Sequence, residues 1–243
     1  ENIIVSDFDG NGVDDILFNE VDDDNKLVNT RLLLINESGG LLGSPINNAP
    51  PVILNKTYNE MGKVVVGDFD GDGAKDYIRI LSHIYTVGSD PLPVVLTKGF
   101  GSFPAKSISN RQLSGTFNSK TISEYLLAST KLTILDFDGD GKSEIMATNT
   151  GASAIFSLSL SSSSVNTSHI YSGAPATNTP FIVGDFNGDR KSDILVIGYA
   201  NNGTTSWSTN LSSGVSFIGD NSFDYNYILK FNSSCDFSVK VGD

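Results

Sequence analysis

Four nine-residue stretches hold the densest chemistry in this 243-residue chain. They run Asp7–Asp15 (DFDGNGVDD), Asp68–Asp76 (DFDGDGAKD), Asp136–Glu144 (DFDGDGKSE) and Asp185–Asp193 (DFNGDRKSD), with starts 61, 68 and 49 residues apart. Positions 1, 3, 5 and 9 of each carry side-chain oxygens. These are Asp7, Asp9, Asn11 and Asp15; Asp68, Asp70, Asp72 and Asp76; Asp136, Asp138, Asp140 and Glu144; and Asp185, Asn187, Asp189 and Asp193. Alternate residues of a tight turn can point the same way, so three of these oxygens can converge on one point. The carbonyl at position 7 (Val13, Ala74, Lys142 or Lys191) can add another ligand. An all-oxygen donor set of this kind suits a hard cation that takes about six to eight ligands, and Ca²⁺ fits it better than the smaller, stricter Mg²⁺. Without a cation the carboxylates of each loop would repel one another.

The glycines at positions 4 and 6 permit the positive φ that so sharp a turn needs. Arg190 replaces the second glycine in the fourth loop, so that loop is expected to be the weakest site. An EF-hand would need a bidentate acid at position 12 and a helix on each side. Position 12 is Phe18, Arg79, Ala147 and Val196, which excludes it.

The elements that must position the loops are short and often β-branched. Ile3–Val5, Val64–Val66, Leu132–Leu135 and Phe181–Val183 precede the loops, and Ile16–Phe18, Tyr77–Ile80, Ile145–Ala147 and Ile194–Ile197 follow them. They read as strands. Further strands are expected at Arg31–Ile35, Val94–Leu96 and Ala154–Leu158, with turns at Glu37–Gly40, Gly99–Gly101 and Asn201–Gly203. No stretch sustains a 3.6-residue period. The predicted fold class is therefore all-β: one domain over residues 1–243, in four units at 1–61, 62–129, 130–178 and 179–243. Each unit has room for about four antiparallel strands, the content of one propeller blade. Val241-Gly242-Asp243 matches Val66-Gly67-Asp68 and Val183-Gly184-Asp185, and reads as the opening of a fifth unit.

The loops and their flanks resemble the FG-GAP/VCBS repeat family, also seen in the blades of integrin α-subunit propellers. The pattern D-x-D/N-x-D/N-G-x-x-D/E recurs between two apolar strands, with phenylalanine at position 2 each time (Phe8, Phe69, Phe137, Phe186). The resemblance implies a β-propeller, usually of six to eight blades, with a structural Ca²⁺ in the first hairpin loop of each and ligands bound on other loops or on a face. Four units are fewer than that, so the chain is expected either to be part of a larger propeller within a larger polypeptide or to close in an unusual small ring. Members of the family serve in cell adhesion, fungal lectins, polysaccharide lyases and toxin-complex shells.

Composition narrows the function. The net charge is −12, with 28 acidic against 16 basic residues and no basic stripe, which argues against a nucleic-acid backbone as partner. Four Ca²⁺ ions, two charges each, would bring that −12 to −4. No apolar run reaches 18 residues, so membrane insertion by a helix is not expected. Cys235 is the lone cysteine and His83 and His169 the only histidines, which leaves little for nucleophilic or histidine chemistry. The six sequons at Asn36, Asn55, Asn166, Asn202, Asn210 and Asn232 carry little weight, because the Asn, Ser and Thr content yields roughly four or five by chance. The acidic cluster Asp22-Asp23-Asp24 reads as a solvated turn, and no motif distinguishes Arg111, Lys120 or Lys131 as a base. The expectation is a secreted or cell-surface, Ca²⁺-stabilised binding or scaffold module with a protein or glycan partner, not an enzyme. Trp207, Tyr199, Tyr225 and Tyr227 could stack on sugars. The alternative is the propeller of a polysaccharide lyase or hydrolase.

Overall fold

A computed structural model of the chain describes residues 3–21, 27–41, 63–80, 94–97, 107–111, 113–149, 152–160, 165–173, 181–199 and 205–220. Asp22–Asp24, His83, Tyr225, Tyr227, Cys235 and Val241–Asp243 lie outside the described residues, as do the side chains of Arg111 and Tyr199 and the turns at 99–101 and 201–203. The contacts divide into two units: Glu1–Ser129 with Ser157–Ser168, and Thr130–Phe156 with His169–Asp243.

The first unit holds two antiparallel sheets. One is β1 (Ile3–Ser6), β2 (Asp15–Val21) and β3 (Leu27–Leu33); the other is β4 (Lys63–Gly67), β5 (Asp76–Ile80), β6 (Val94–Thr97) and β7 (Ser107–Arg111), each paired in chain order. After them come β8 (Leu113–Ser114) and the small hairpin of β9 (Thr116–Phe117) and β10 (Lys120–Thr121). That hairpin turns on Asn118 (φ 51°) and Ser119 (φ 63°), the two positive φ values that a two-residue turn of matching twist demands.

A helix, α1 (Ile122–Ala128), follows at once, which the all-strand reading did not foresee. Thr121 and Glu124 form a reciprocal cap: the Thr121 amide donates to Glu124 Oε2 at 2.8 Å and the Glu124 amide to Thr121 Oγ1 at 3.2 Å. Lys63 of β4 closes the other end, donating from Nζ to the carbonyls of Leu126 and Ser129. Seven residues are too few to show a helical period, so the capping pair was the readable signal.

The second unit repeats the plan. Its sheets are β11 (Lys131–Leu135), β12 (Glu144–Asn149), β13 (Ala152–Leu160) and β14 (Val165–Ser172), then β15 (Phe181–Gly184), β16 (Asp193–Tyr199), β17 (Thr205–Ser212) and β18 (Phe217–Asp220). The far parts of β13 and β14, within 157–168, group with the first unit, where Val165 and Asn166 pair in parallel with Leu113 and Ser114. Among the described residues the architecture is thus all-β, as expected, and mostly antiparallel, with one short helix added. Most of the expected strands are in place; the stretch at Arg31–Ile35 instead ends its strand at Leu33, and Ile35 makes an isolated bridge to Leu41.

One register recurs in all four sheets. The residue before each acidic loop pairs with position 9: Ser6 with Asp15, Gly67 with Asp76, Leu135 with Glu144, and Gly184 with Asp193. Each loop is therefore the connection of a closed hairpin, with its first and last oxygens brought together by strand pairing. The phenylalanine at position 2 anchors the turn from below. Phe8, Phe69 and Phe137 are fully buried. Phe8 packs with Leu17, Leu32, Leu34 and Tyr77, and Phe137 with Leu135, Met146, Ile155 and Ile194. The Phe137 ring also meets Phe217 edge-on at 5.1 Å and stacks with Tyr171 at 5.7 Å. Phe186, by contrast, is only half-buried.

Removing a fully buried ring loses its transfer energy and leaves a cavity. Phe137→Ala should therefore lower stability in urea by about 3–5 kcal/mol, the range for buried aromatics. Phe186→Ala should cost clearly less. Equal losses at the two positions would contradict the anchoring role assigned to the buried rings.

Candidate metal centres

Each loop is organised first by its own backbone amides. In the first, Asp7 Oδ1 accepts from the amides of Gly10 (2.7 Å) and Asn11 (3.2 Å), and Oδ2 from that of Gly12 (2.8 Å). The second loop repeats this around Asp68, with amides of Gly71, Asp72 and Gly73 at 2.7, 3.1 and 2.9 Å. In the third, Asp136 takes Gly139 at 2.7 Å and Gly141 at 3.1 Å. In the fourth, Asp185 takes Gly188, Asp189 and Arg190 at 2.7, 3.2 and 2.9 Å. The position-1 carboxylate is thus the hub that bends the chain into a turn, an Asx-type arrangement.

Position 9 closes the loop from the strand side. Asp15, Asp76, Glu144 and Asp193 are all buried, and one oxygen of each accepts the amide of the phenylalanine at position 2, at 2.9, 3.0, 2.6 and 2.9 Å. In two loops the other oxygen accepts from the end of the third strand of the same sheet: Ile35 N to Asp15 Oδ1 and Ser212 N to Asp193 Oδ1, both 2.7 Å. Sequence reasoning gave no role to Ile35 or Ser212, because an amide donor leaves no residue-type signal. A carboxylate oxygen keeps a second lone pair after accepting one hydrogen bond, so these acids can still ligate a cation.

Successive loops within a unit also clasp one another. The amide at position 8 of the later loop donates to the carbonyl at position 1 of the earlier one: Lys75 N to Asp7 O at 2.8 Å, and Ser192 N to Asp136 O at 2.6 Å. The glycine at position 4 makes room for this. A Cβ on Gly139 would sit 3.0 Å from Lys191 Cγ and would need the left-handed φ of 79°.

The result is three converging carboxylate groups among the described residues. Asp7, Asp9 and Asp15 form one, Asp68, Asp70 and Asp76 the second, and Asp136, Asp138 and Glu144 the third, each offering oxygens within 4.8 Å of one another. Two oxygens on a single Ca²⁺, each about 2.3–2.6 Å from it, can be at most about 4.6–5.2 Å apart, so the spacing fits that ion. Position 5 stands outside these groups. Asn11, Asp72, Asp140 and Asp189 each accept through Oδ1 from the amide at position 7, of Val13, Ala74, Lys142 and Lys191, at 2.7–2.9 Å.

The electrostatics carry the strain of this convergence. Burial, reinforced by Asp138, Asp136 and Asp140 and opposed by the Phe137 amide, pushes the Glu144 carboxyl up to about 8. Burial raises Asp136 as well, with Asp140 and Asp138 adding to it. Asp9, Asp15 and Asp72 are raised by burial first and by neighbouring carboxylates second. The ionised form is thus disfavoured, and a bound cation would relieve both causes. The fourth loop is mixed. Asp185 is held below the usual carboxylate range by the Arg190 amide foremost, and Asp189 by the Lys191 ammonium, while burial raises Asp193.

An antiparallel β-sheet repeat with an acidic hairpin loop between its first two strands is the class that fold and site define. Residues 136–196, from the third loop into β16, match the family model of the FG-GAP-like repeat. No curated protein matches the chain. Among solved structures, a lectin from Agrocybe aegerita, described as specifically recognising non-reducing terminal N-acetylglucosamine, is similar with a TM-score of 0.58 at 16% identity. The likeness covers 90% of this chain and 51% of that one, so the chain spans about half the length of the lectin. At that identity the likeness is one of fold.

Two substitutions in the third loop separate ligand from scaffold. Asp138 is exposed, and Asn would keep the oxygen that accepts the Asp140 amide while removing a charge. Asp138→Asn should leave the metal-free melting temperature level or slightly raised and shrink the gain on adding Ca²⁺. Glu144→Ala strands the Phe137 amide and removes the position-9 oxygens, so it should destabilise by about 1–3 kcal/mol without Ca²⁺ and shrink the Ca²⁺ gain as well. Calorimetry in both buffers reads the difference, and identical behaviour of the two variants would contradict the division of roles.

Proposed function

We propose that the four sheets are blades of a Ca²⁺-stapled β-propeller, and that the chain is a glycan-binding module working outside the cytosol rather than an enzyme. The observation that carries this reading is positional. Three carboxylate groups recur at one place in successive sheets, on the loop between the first and second strands. The ions would be held by positions 1, 3 and 9, supplemented by the position-5 side chains (Asn11, Asp72, Asp140) and the position-7 carbonyls (Val13, Ala74, Lys142). Bound there, Ca²⁺ supplies charge neutralisation and cross-linking of the loop, not chemistry on a substrate.

Three lines support a binder over a catalyst. The converging carboxylates among the described residues sit in loops built on their own backbone amides and close on one another, an arrangement that suits a cation rather than a substrate. The basic candidates have structural surroundings: Lys131 lies 4.2 Å over the Phe181 ring, and Lys120 sits in the β9–β10 hairpin. The similar lectin recognises a terminal sugar on this type of fold. Of the aromatic candidates, Trp207 lies on β17, half-buried. An extracellular setting suits such a module, since weak structural Ca²⁺ sites, at roughly 10⁻⁴–10⁻³ M, fill only where Ca²⁺ is abundant.

The test is a glycan array probed with the chain in millimolar Ca²⁺ and again in EDTA, with terminal N-acetylglucosamine among the probes. Retention on a defined set of glycans in Ca²⁺ and loss in EDTA is the expected result. No retention by protein that Ca²⁺ has measurably stabilised would overturn the glycan assignment. Retention unchanged in EDTA would separate binding from the metal staples.

A further inference from the structure

The fourth loop has the same backbone as the others but a different solution to its charge. Its amide bonds to Asp185 and to Asp193 match those of the first loop in partners, position by position. Three side chains differ. Position 3 is Asn187, a neutral residue whose Oδ1 still accepts the Asp189 amide at 2.9 Å. Position 6 is Arg190, which adopts a φ of 71° where its counterparts are glycines. Position 7 is Lys191, whose ammonium donates to Asp189 Oδ2 at 2.8 Å. The first loop carries four acids and no base, and the second and third four acids and one base each; the fourth carries three acids and two bases.

We infer that Lys191 is the built-in counter-ion of the fourth loop, so that this loop holds its turn without a divalent ion and the described loops take three Ca²⁺ rather than four. The inference rests on the calcium reading of the first three loops and deepens it. A lysine at position 7 is not enough by itself. Lys142 occupies the same position in the third loop, and among the described residues it makes no ion pair. What distinguishes Lys191 is its seating: the neighbouring amide of Ser192 is tied to Asp136 O, and its Cγ lies against Gly139 of the preceding loop. The ammonium is thereby presented to Asp189 from a fixed stem. An exposed ion pair is a weak stabiliser. It suffices here because the loop has already lost the position-3 carboxylate and gained Arg190. The same two bases set a positive charge against any divalent ion that approaches.

Native mass spectrometry of the chain in Ca²⁺, with hydrogen–deuterium exchange of the loop amides in Ca²⁺ and in EDTA, tests this. The expected count is three ions, with protection in the first three loops rising in Ca²⁺ and protection at 188–191 the same in both buffers. Lys191→Met should lower protection at 188–191 in EDTA and leave the other loops unchanged. Asn187→Asp combined with Arg190→Gly and Lys191→Met should raise the count to four. A count of four in the unsubstituted chain, or Ca²⁺-dependent protection at 188–191, would overturn the inference. If no loop responds to Ca²⁺, the calcium reading itself fails. The Lys191→Met comparison in EDTA then still decides whether the lysine holds the loop, and unchanged protection there would overturn the counter-ion role too.

Discussion

Like charges held a few ångströms apart in partly buried protein repel, and the first three acidic loops of this chain hold three carboxyl groups apiece at that spacing. Everything around those loops can be read as a response to that repulsion. Strand pairing sets the last acid of each loop opposite the residue just before the first. In the first three loops the position-2 phenylalanine is buried in the core and anchors the turn. Backbone amides then converge on the position-1 and position-9 carboxylates. Amides carry only partial charges, so they orient the acids without neutralising them, and the raised Glu144 carboxyl is the residue of that imbalance. The proposed cations complete what the amides begin.

The same loops also join sheet to sheet. The position-8 amide of one loop reaches the position-1 carbonyl of the loop before it in both units. A cation that orders one loop would therefore firm the position-8 amide of the next, through a contact that involves no ligand atom and reaches no further into that loop. Such coupling is the nearest-neighbour logic of repeat proteins, where each repeat is stabilised mainly by those beside it. The fourth loop fits this scheme while departing in charge: its Ser192 amide donates to Asp136 O and its Ser192 hydroxyl accepts the Asp136 amide.

The loops were legible because their chemistry is local. Oxygens at positions 1, 3 and 9, glycines at 4 and 6 and a phenylalanine at 2 all lie within nine residues, and short β-branched runs on either side mark the hairpin. The strain expected at Arg190 appears as its positive φ. What could not be read was non-local or carried by the backbone. Ile35 and Ser212 matter through their amides, which every residue but proline possesses. The position-8 clasp joins residues 56 and 68 positions apart in sequence, through an amide that belongs to a lysine in one case and a serine in the other. The short helix was signalled only by Thr121 and Glu124, a capping pair too brief to register as periodicity. Position 5 looked like a ligand on spacing alone; its geometry shows it first as an acceptor for position 7.

The account stands on a cation being part of the folded state. Thermal unfolding of the chain in EDTA, in millimolar Ca²⁺ and in millimolar Mg²⁺ tests that most directly. An ion that binds only the folded form stabilises it by about 2.7 kcal/mol per site at a hundredfold excess over Kd. The account predicts a large rise in melting temperature with Ca²⁺ and little or none with Mg²⁺. Superimposable curves in all three buffers would contradict it and leave the carboxylate loops as turns ordered by their amides alone.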